Sequence, residues 1–291
     1  MCQPVRVVLD TSGVRQHVHG NRNLANDLKP YVTNGAILVS IPDTCVAELL
    51  MQLLEGRVAW EDWRSRVSGL NEILDPDMPV LPGGSELAFK VGLTTVAPPT
   101  DLDDGVVSRA LWEALRDANT LDDLSKPLKV TIPGRGDATV HLDAANAQRI
   151  VQTYRDYWPN WIEFIKASFG IAPPNAESIR ATVERGVLSL FGGQQGFVEK
   201  IDAMVKLLAH YVDISINARE PYNPSSDRRR GDWFDYLMLM SLGLPAVLCT
   251  TDQKLINKLK LLKSSQADMV LNIDGLLERL AAGNLKDLVS T

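Results

Sequence analysis

Strand–helix alternation is confined to the two ends of this chain, and neither end carries enough strands to close a sheet alone. Val5–Leu9 is a short apolar, β-branched run that stops at Asp10 and passes into Thr11-Ser12-Gly13, residues that favour a turn. Residues 23–32 predict a helix ending near Asn34-Gly35, and 36–41 a second buried strand. Pro42-Asp43-Thr44 opens another helix, capped by Asp43 or Thr44. Its Val46, Leu49, Leu50 and Leu53 share one face, with Glu48 on the opposite side. A third strand is expected at 78–81. The alternation returns as helix 232–242, strand 246–250, helix 252–263, strand 269–273 and helix 275–280. Parallel sheets are buried on both faces. The two ends are therefore expected to join in one α/β domain, 1–97 with 228–291, built as a three-layer fold around a central parallel sheet.

The intervening residues, 98–227, are expected to be a mainly helical insertion, entered at Pro98-Pro99 and left through the polar loop 220–231. Helices are expected at 105–117, 144–169, 176–190 and 197–216, with a hairpin of 129–132 against 138–142. Tyr154, Tyr157, Trp158, Trp161 and Phe164 hold helical spacing, which suits the core of this segment, with base stacking as the sharper alternative.

Composition narrows the function classes. No apolar run approaches the roughly 20 residues that span a bilayer, and residues 1–10 have no apolar stretch behind a basic start, so no membrane partner and a cytoplasmic setting are expected. Cys2, Cys45 and Cys249 are too scattered for a disulfide framework or a CxxC zinc site. The net charge of -6 argues against bulk coating of nucleic acid. Locally the balance reverses: 228–263 holds Arg228, Arg229, Arg230, Lys254, Lys258, Lys260 and Lys263 against Asp232, Asp235 and Asp252.

Those three acids, with Asp10 and Glu48, are the residues with chemical potential. In an open parallel sheet the carboxyl ends of the strands share one edge, where crevices form. Asp10 ends the first strand, Asp252 follows a later one, and Glu48 begins at the same edge. Asp232 and Asp235 are three apart on one helix and share a side. Two carboxylates about 4 Å apart repel by roughly 4 kcal/mol at an effective dielectric of 20, so such a group calls for a cation. Oxygen ligands without Cys or His point to Mg²⁺ or Mn²⁺. Such ions can activate water for attack on a phosphodiester, with flanking basic residues on the phosphate backbone.

The motifs resemble those of PIN-domain nucleases. VVLDTS at 7–12 looks like their opening, ILVSIPDTCVAELL at 37–50 their helix-borne Glu after the second strand, and DYLMLMSLGLPAVLCTTD at 235–252 their closing helix, strand and Thr-x-Asp. The resemblance implies Asp10, Glu48, Asp235 and Asp252 as catalytic metal ligands, with Asp232 as an extra acid one turn earlier. It places Thr11, Ser12 and Thr250 in support. It covers roughly the first 95 and last 60 residues and leaves out the large central block. The implied activity is metal-dependent cleavage of nucleic acid, single-stranded RNA ahead of DNA, gripped by Arg228, Arg229, Arg230 and Lys254. A homo-oligomer, or a regulatory protein on the helical segment, is the further expected partner. Asp10→Asn is expected to abolish cleavage and leave folding intact.

Three other readings compete. Asp10 suits a turn, and Asp232 and Asp252 suit helix caps, with no ligand implied. A binding module could keep the fold without turnover. A von Willebrand A-type adhesion domain would share Asp10 and Ser12, but its third metal position falls on Val14, which cannot ligate.

Overall fold

The computed structural model describes residues 4–19, 23–82, 84–92, 104–132, 136–140, 144–169, 174–190, 198–226, 229 and 231–289. In chain order its elements are β1 (Val5–Leu9), α1 (Thr11–His19), α2 (Leu24–Thr33), β2 (Ile37–Pro42), α3 (Asp43–Leu54), α4 (Trp60–Asn71), β3 (Val80–Leu81), α5 (Gly84–Lys90) and α6 (Asp104–Asp117). Then come β4 (Leu128–Ile132), β5 (Gly136–Val140), α7 (Ala144–Ala167), α8 (Ala176–Leu190), α9 (Asp202–Ile216), α10 (Asp232–Met238), β6 (Ala246–Cys249), α11 (Gln253–Leu261), β7 (Val270–Leu271) and α12 (Ile273–Ala282).

Five strands form one parallel sheet in the order β3-β2-β1-β6-β7. The two ends of the chain thus meet at its centre, where Val7 pairs with Val39 on one side and Val247 on the other. Alternation of side chains across the strand explains the apolar run of β1. Val5, Val7 and Leu9 enter one core with α1, α2, α3, α4, α6 and α12. Val8, with Ala246 and Leu248 of β6, enters the other, with α7, α8, α9, α10 and α11. Arg6 breaks the run and is compensated: it pairs with buried Asp75 at 2.9 Å and donates to Ser40 Oγ at 2.5 Å.

The described residues between 104 and 226 pack into both of these cores. Trp112 and Leu115 of α6 join the first, whereas α8 and α9 form much of the second. Polar contacts tie the same segment to the C-terminal part. Gln266 accepts from the Ala203 amide and donates to the Lys200 and Leu242 carbonyls, and Asp202 accepts from the Ser264 hydroxyl and the Ser265 amide. These donors and Lys206 hold the Asp202 carboxyl below its usual range despite burial. The hairpin forms as expected, β4 antiparallel to β5. The entry at Pro98-Pro99 lies outside the described residues.

Two local expectations are corrected. Thr11-Ser12-Gly13 does not turn; it opens α1, because the Asp10 carboxylate caps the Gly13 amide and the Asp10 carbonyl accepts from the Val14 amide. The aromatic run on α7 is not one core face. Trp158 is fully buried, Trp161 is half-buried, and Tyr157 and Phe164 are 57% and 63% exposed.

Candidate functional site

The sheet order reverses between β1 and β6: from β1 the chain proceeds to β2 and β3, from β6 to β7 on the other side. A crevice at the carboxyl ends of two such strands follows from helices leaving to opposite faces. Asp10 is the residue after β1, and Thr250-Thr251-Asp252 follow β6. Over the same region α7 packs against both α3, which carries Glu48, and α10, which carries Asp232 and Asp235.

Asp10 is only 4% exposed and is thoroughly bonded. Its Oδ1 accepts from the Gly13 amide at 2.6 Å, its Oδ2 from Thr250 Oγ1 at 2.5 Å, and Ser12 Oγ reaches both oxygens at 2.7 and 2.9 Å. Thr250 Oγ1 in turn accepts from the Asp252 amide, and Ser12 Oγ from the Thr251 amide. Gly13 lets α1 approach β6: a Cβ there would meet the Cys249 carbonyl at 3.2 Å. Burial raises the Asp10 pKa against the lowering effect of these donors, and the Asp252 charge adds to the rise. Thr11 is buried beside the Cys45 thiol.

Asp252 caps α11, its Oδ1 accepting from the Lys254 and Leu255 amides at 2.7 and 3.1 Å. Asp232 Oδ2 accepts from Tyr222 OH at 2.7 Å, and that hydroxyl accepts from Trp158 Nε1 at 2.7 Å. Asp235 differs from both. Its carboxylate receives no hydrogen bond from the described residues, although protein surrounds it and only part of its surface meets solvent. Burial drives its pKa well above the ordinary value, and the charges of Asp252, Asp232 and Asp10 add to that, with Lys258 opposing. Glu48 is half-buried on α3, and its charge acts on the Cys45 thiol together with that of Asp10.

The charges of Asp10, Asp232 and Asp252 thus all act on Asp235, and that of Asp252 on Asp10, whereas Glu48 is linked to this group only through the Cys45 thiol, on which it acts together with Asp10. Among the described residues, however, no three Asp, Glu, His or Cys side chains stand close enough together to hold a metal ion. Lys254 lies exposed on α11 and Arg229 exposed over the Tyr222 ring, 5.3 Å from its centre. Arg228 and Arg230 lie outside the described residues. Val14 is fully buried in the core, where the adhesion-domain pattern needs a ligand.

Lys258 is the neighbour that sequence reasoning passed over. It is half-buried, donates to Tyr211 OH at 2.8 Å and lies 4.5 Å from the centre of that ring. Its position three residues after Leu255 and one before Leu259, both buried, was the available signal that it borders the inner face of α11. Tyr211, Tyr222 and Trp158 carried no comparable signal, because they reach the acids from distant segments. Burial raises both tyrosine pKa values well beyond their usual range. Comparison with protein-family models, with curated proteins and with solved structures finds no match to this chain.

Proposed function

We propose that the chain is a PIN-like, metal-dependent nuclease that hydrolyses phosphodiester bonds, with single-stranded RNA as its substrate. The observation that carries this reading is Asp235: a carboxylate on which the charges of three others act, with no hydrogen-bond donor among the described residues. A buried carboxylate in that setting calls for a cation. The donor set, oxygen throughout, suits Mg²⁺ or Mn²⁺. Asp235 and Asp252 would hold the ion, joined by Asp10 and by Glu48 and Asp232 from the flanks. Asp10 keeps capacity for this. Ser12 has a single proton to share between both oxygens, so three donors act on roughly four acceptor sites.

An ion held by these carboxylates would supply a water of lowered pKa and positive charge for the attacked phosphate. The chain's own contribution is placement. Thr250 and Ser12 fix the orientation of Asp10, the α11 N-terminus fixes Asp252, and Tyr222 with Trp158 fixes Asp232. Arg228, Arg229, Arg230 and Lys254 would contact the strand's phosphates beyond the cleaved bond.

A second reading, a binding module without turnover, draws on the degree to which the acids are already satisfied. Asp10 is bonded on both oxygens, and Asp232 and Asp252 each have donors. End-labelled single-stranded RNA and DNA incubated with the protein and MnCl2 separate the two. Cleavage that EDTA stops supports the nuclease. Manganese binding by calorimetry without cleavage of either polymer supports the module, and cleavage undiminished by EDTA removes the metal from the account. Alanine at Arg228, Arg229 and Arg230 together should weaken RNA binding and reduce the magnitude of the slope of log K on log salt by about 2 to 3. An unchanged slope takes the arginines out of the interface.

A further inference from the structure

Helix α7 turns a line of aromatic rings toward solvent. Tyr157, Trp161 and Phe164 follow i, i+4, i+7 spacing and so share one side of the helix. Tyr157 and Phe164 are more than half exposed, and Trp161 is half-buried. Trp161 and Phe164 are stacked, their planes 9° apart and their centres 5.7 Å apart. We propose that this line is a stacking platform for the bases of single-stranded nucleic acid. It deepens the nuclease reading by naming where the substrate rests outside the crevice, and it rests on that reading only for the cut that follows. A lone exposed ring needs no explanation. Two on one side of one helix, one of them ending a parallel stack, do. A base laid on the exposed Phe164 ring would extend that stack by a layer, and Tyr157, about 10 Å away along the helix, offers a second seat.

Placement and surroundings select this occupant. Trp158, next in sequence to Tyr157, donates to Tyr222 OH, and Tyr222 donates to Asp232. The platform thus begins one residue from the ring that reaches an acid of the candidate site. Helix α7 also packs on α3 and α10, which carry Glu48 and Asp235. The rings therefore lie where a strand leaving those acids over α7 would meet them. A protein partner fits less well. A stable protein interface buries about 800 Å² on each side around an apolar centre, whereas exposed Asp156, Asn160 and Glu163 interrupt and flank these rings. Both of those carboxylates are engaged, Glu163 by Lys166 at 2.7 Å and Asp156 by Gln152 at 2.7 Å, which lessens their repulsion of a phosphate backbone. Bases in a duplex already stack on one another, so only a single strand presents free faces. Stacking reads neither the sugar nor the base edge, so RNA and DNA are equivalent to the platform.

Fluorescence anisotropy of labelled oligouridine and oligothymidine with the full chain in EDTA tests this apart from cleavage. Tyr157→Ala and Phe164→Ala together should weaken binding of both by at least roughly 30-fold. The melting temperature should stay within about 2 °C of the parent's, because both side chains are exposed. Phe164→Trp should keep the affinity. Phe164→Leu should lose as much as Phe164→Ala, since leucine is apolar but has no face on which a base can stack. The slope of log K on log salt should not change, because the rings carry no charge. Parental affinity in the double variant or in Phe164→Leu overturns the proposal, and so does a parent that binds neither oligonucleotide. A parent that sediments as a dimer, with a monomeric double variant of unchanged affinity, makes the face a contact between copies and overturns it equally. Binding lost with the rings, in a parent that cuts nothing in MnCl2, upholds the platform and fails the nuclease reading alone. Cleavage by a parent and a double variant of equal affinity fails the platform alone.

Discussion

Asp235→Asn should give a protein that is more stable than its parent near pH 7.5 and inactive in cleavage. The two effects have one source. Burial and three neighbouring carboxylates raise the Asp235 pKa well above its ordinary value of 3.8. The folded protein therefore holds a proton at Asp235 more firmly than the unfolded chain does. The stability this proton contributes is full below the unfolded pKa and is lost as pH rises through the folded one. Asparagine has no proton to lose and keeps the contribution at every pH. Leaving a buried polar group without a partner costs on the order of 1–3 kcal/mol, and more where it is charged, so a gain of about 2 kcal/mol or more at pH 7.5 is expected, shrinking toward zero as the pH falls to 4. Urea unfolding followed by tryptophan fluorescence across that range measures it. Saturating MnCl2 should narrow the gap at pH 7.5, by stabilising the parent and not the variant. A variant less stable than its parent at all pH values would show that the carboxylate is compensated in the empty protein.

The second large effect has the opposite sign. Asp10→Ala should destabilise the fold by about 3 kcal/mol, with Asp10→Asn costing roughly half of that. Removing the carboxylate leaves the Gly13 amide and the Thr250 and Ser12 hydroxyls facing one another in a buried space, and it uncaps α1. The sequence expectation that Asp10→Asn would leave folding intact is thus revised, because the buried Asp10 carboxylate fastens the end of β1 to Thr250 after β6. Activity lost in an Asp10 variant must be judged against its melting curve. A midpoint in urea identical to the parent's would show that these contacts contribute nothing.

The contrast between the two aspartates marks how far the primary structure could be read. The central strands β1, β2 and β6 were legible, because strands buried on both faces must be continuous apolar runs. Strands β3 and β7 are two residues each and sit at the sheet edges, too short for any periodicity to locate their ends. Helix α1 was obscured by Thr11-Ser12-Gly13, whose local preference for a turn is outweighed by the cap that Asp10 supplies. Helix α4 went unread, since Trp63, Val67 and Leu70 bury a stripe among charged neighbours with weak contrast. For the candidate site, each acid could be assigned to an element and an edge. What each acid leans on was not legible: Thr250 reaches Asp10 across 240 positions and Trp158 reaches Tyr222 across 64. The helical block likewise showed its helices in its spacing, but not that α7, α8 and α9 would join α10, α11 and Val8 of β1 in one core.

The central position of β1 in the sheet carries a consequence for biosynthesis. Its partner on one side, β6, starts at residue 246, so the whole stretch from residue 10 to residue 245 must be made before the first strand is enclosed. Pairings so remote in sequence form late. A chain stalled or broken before that point has Asp10 without Thr250, which donates to its carboxylate, and without Asp252. Whatever chemistry involves Asp10 as the folded chain holds it, a nascent chain cannot assemble that arrangement until β6 and Thr250 have been made.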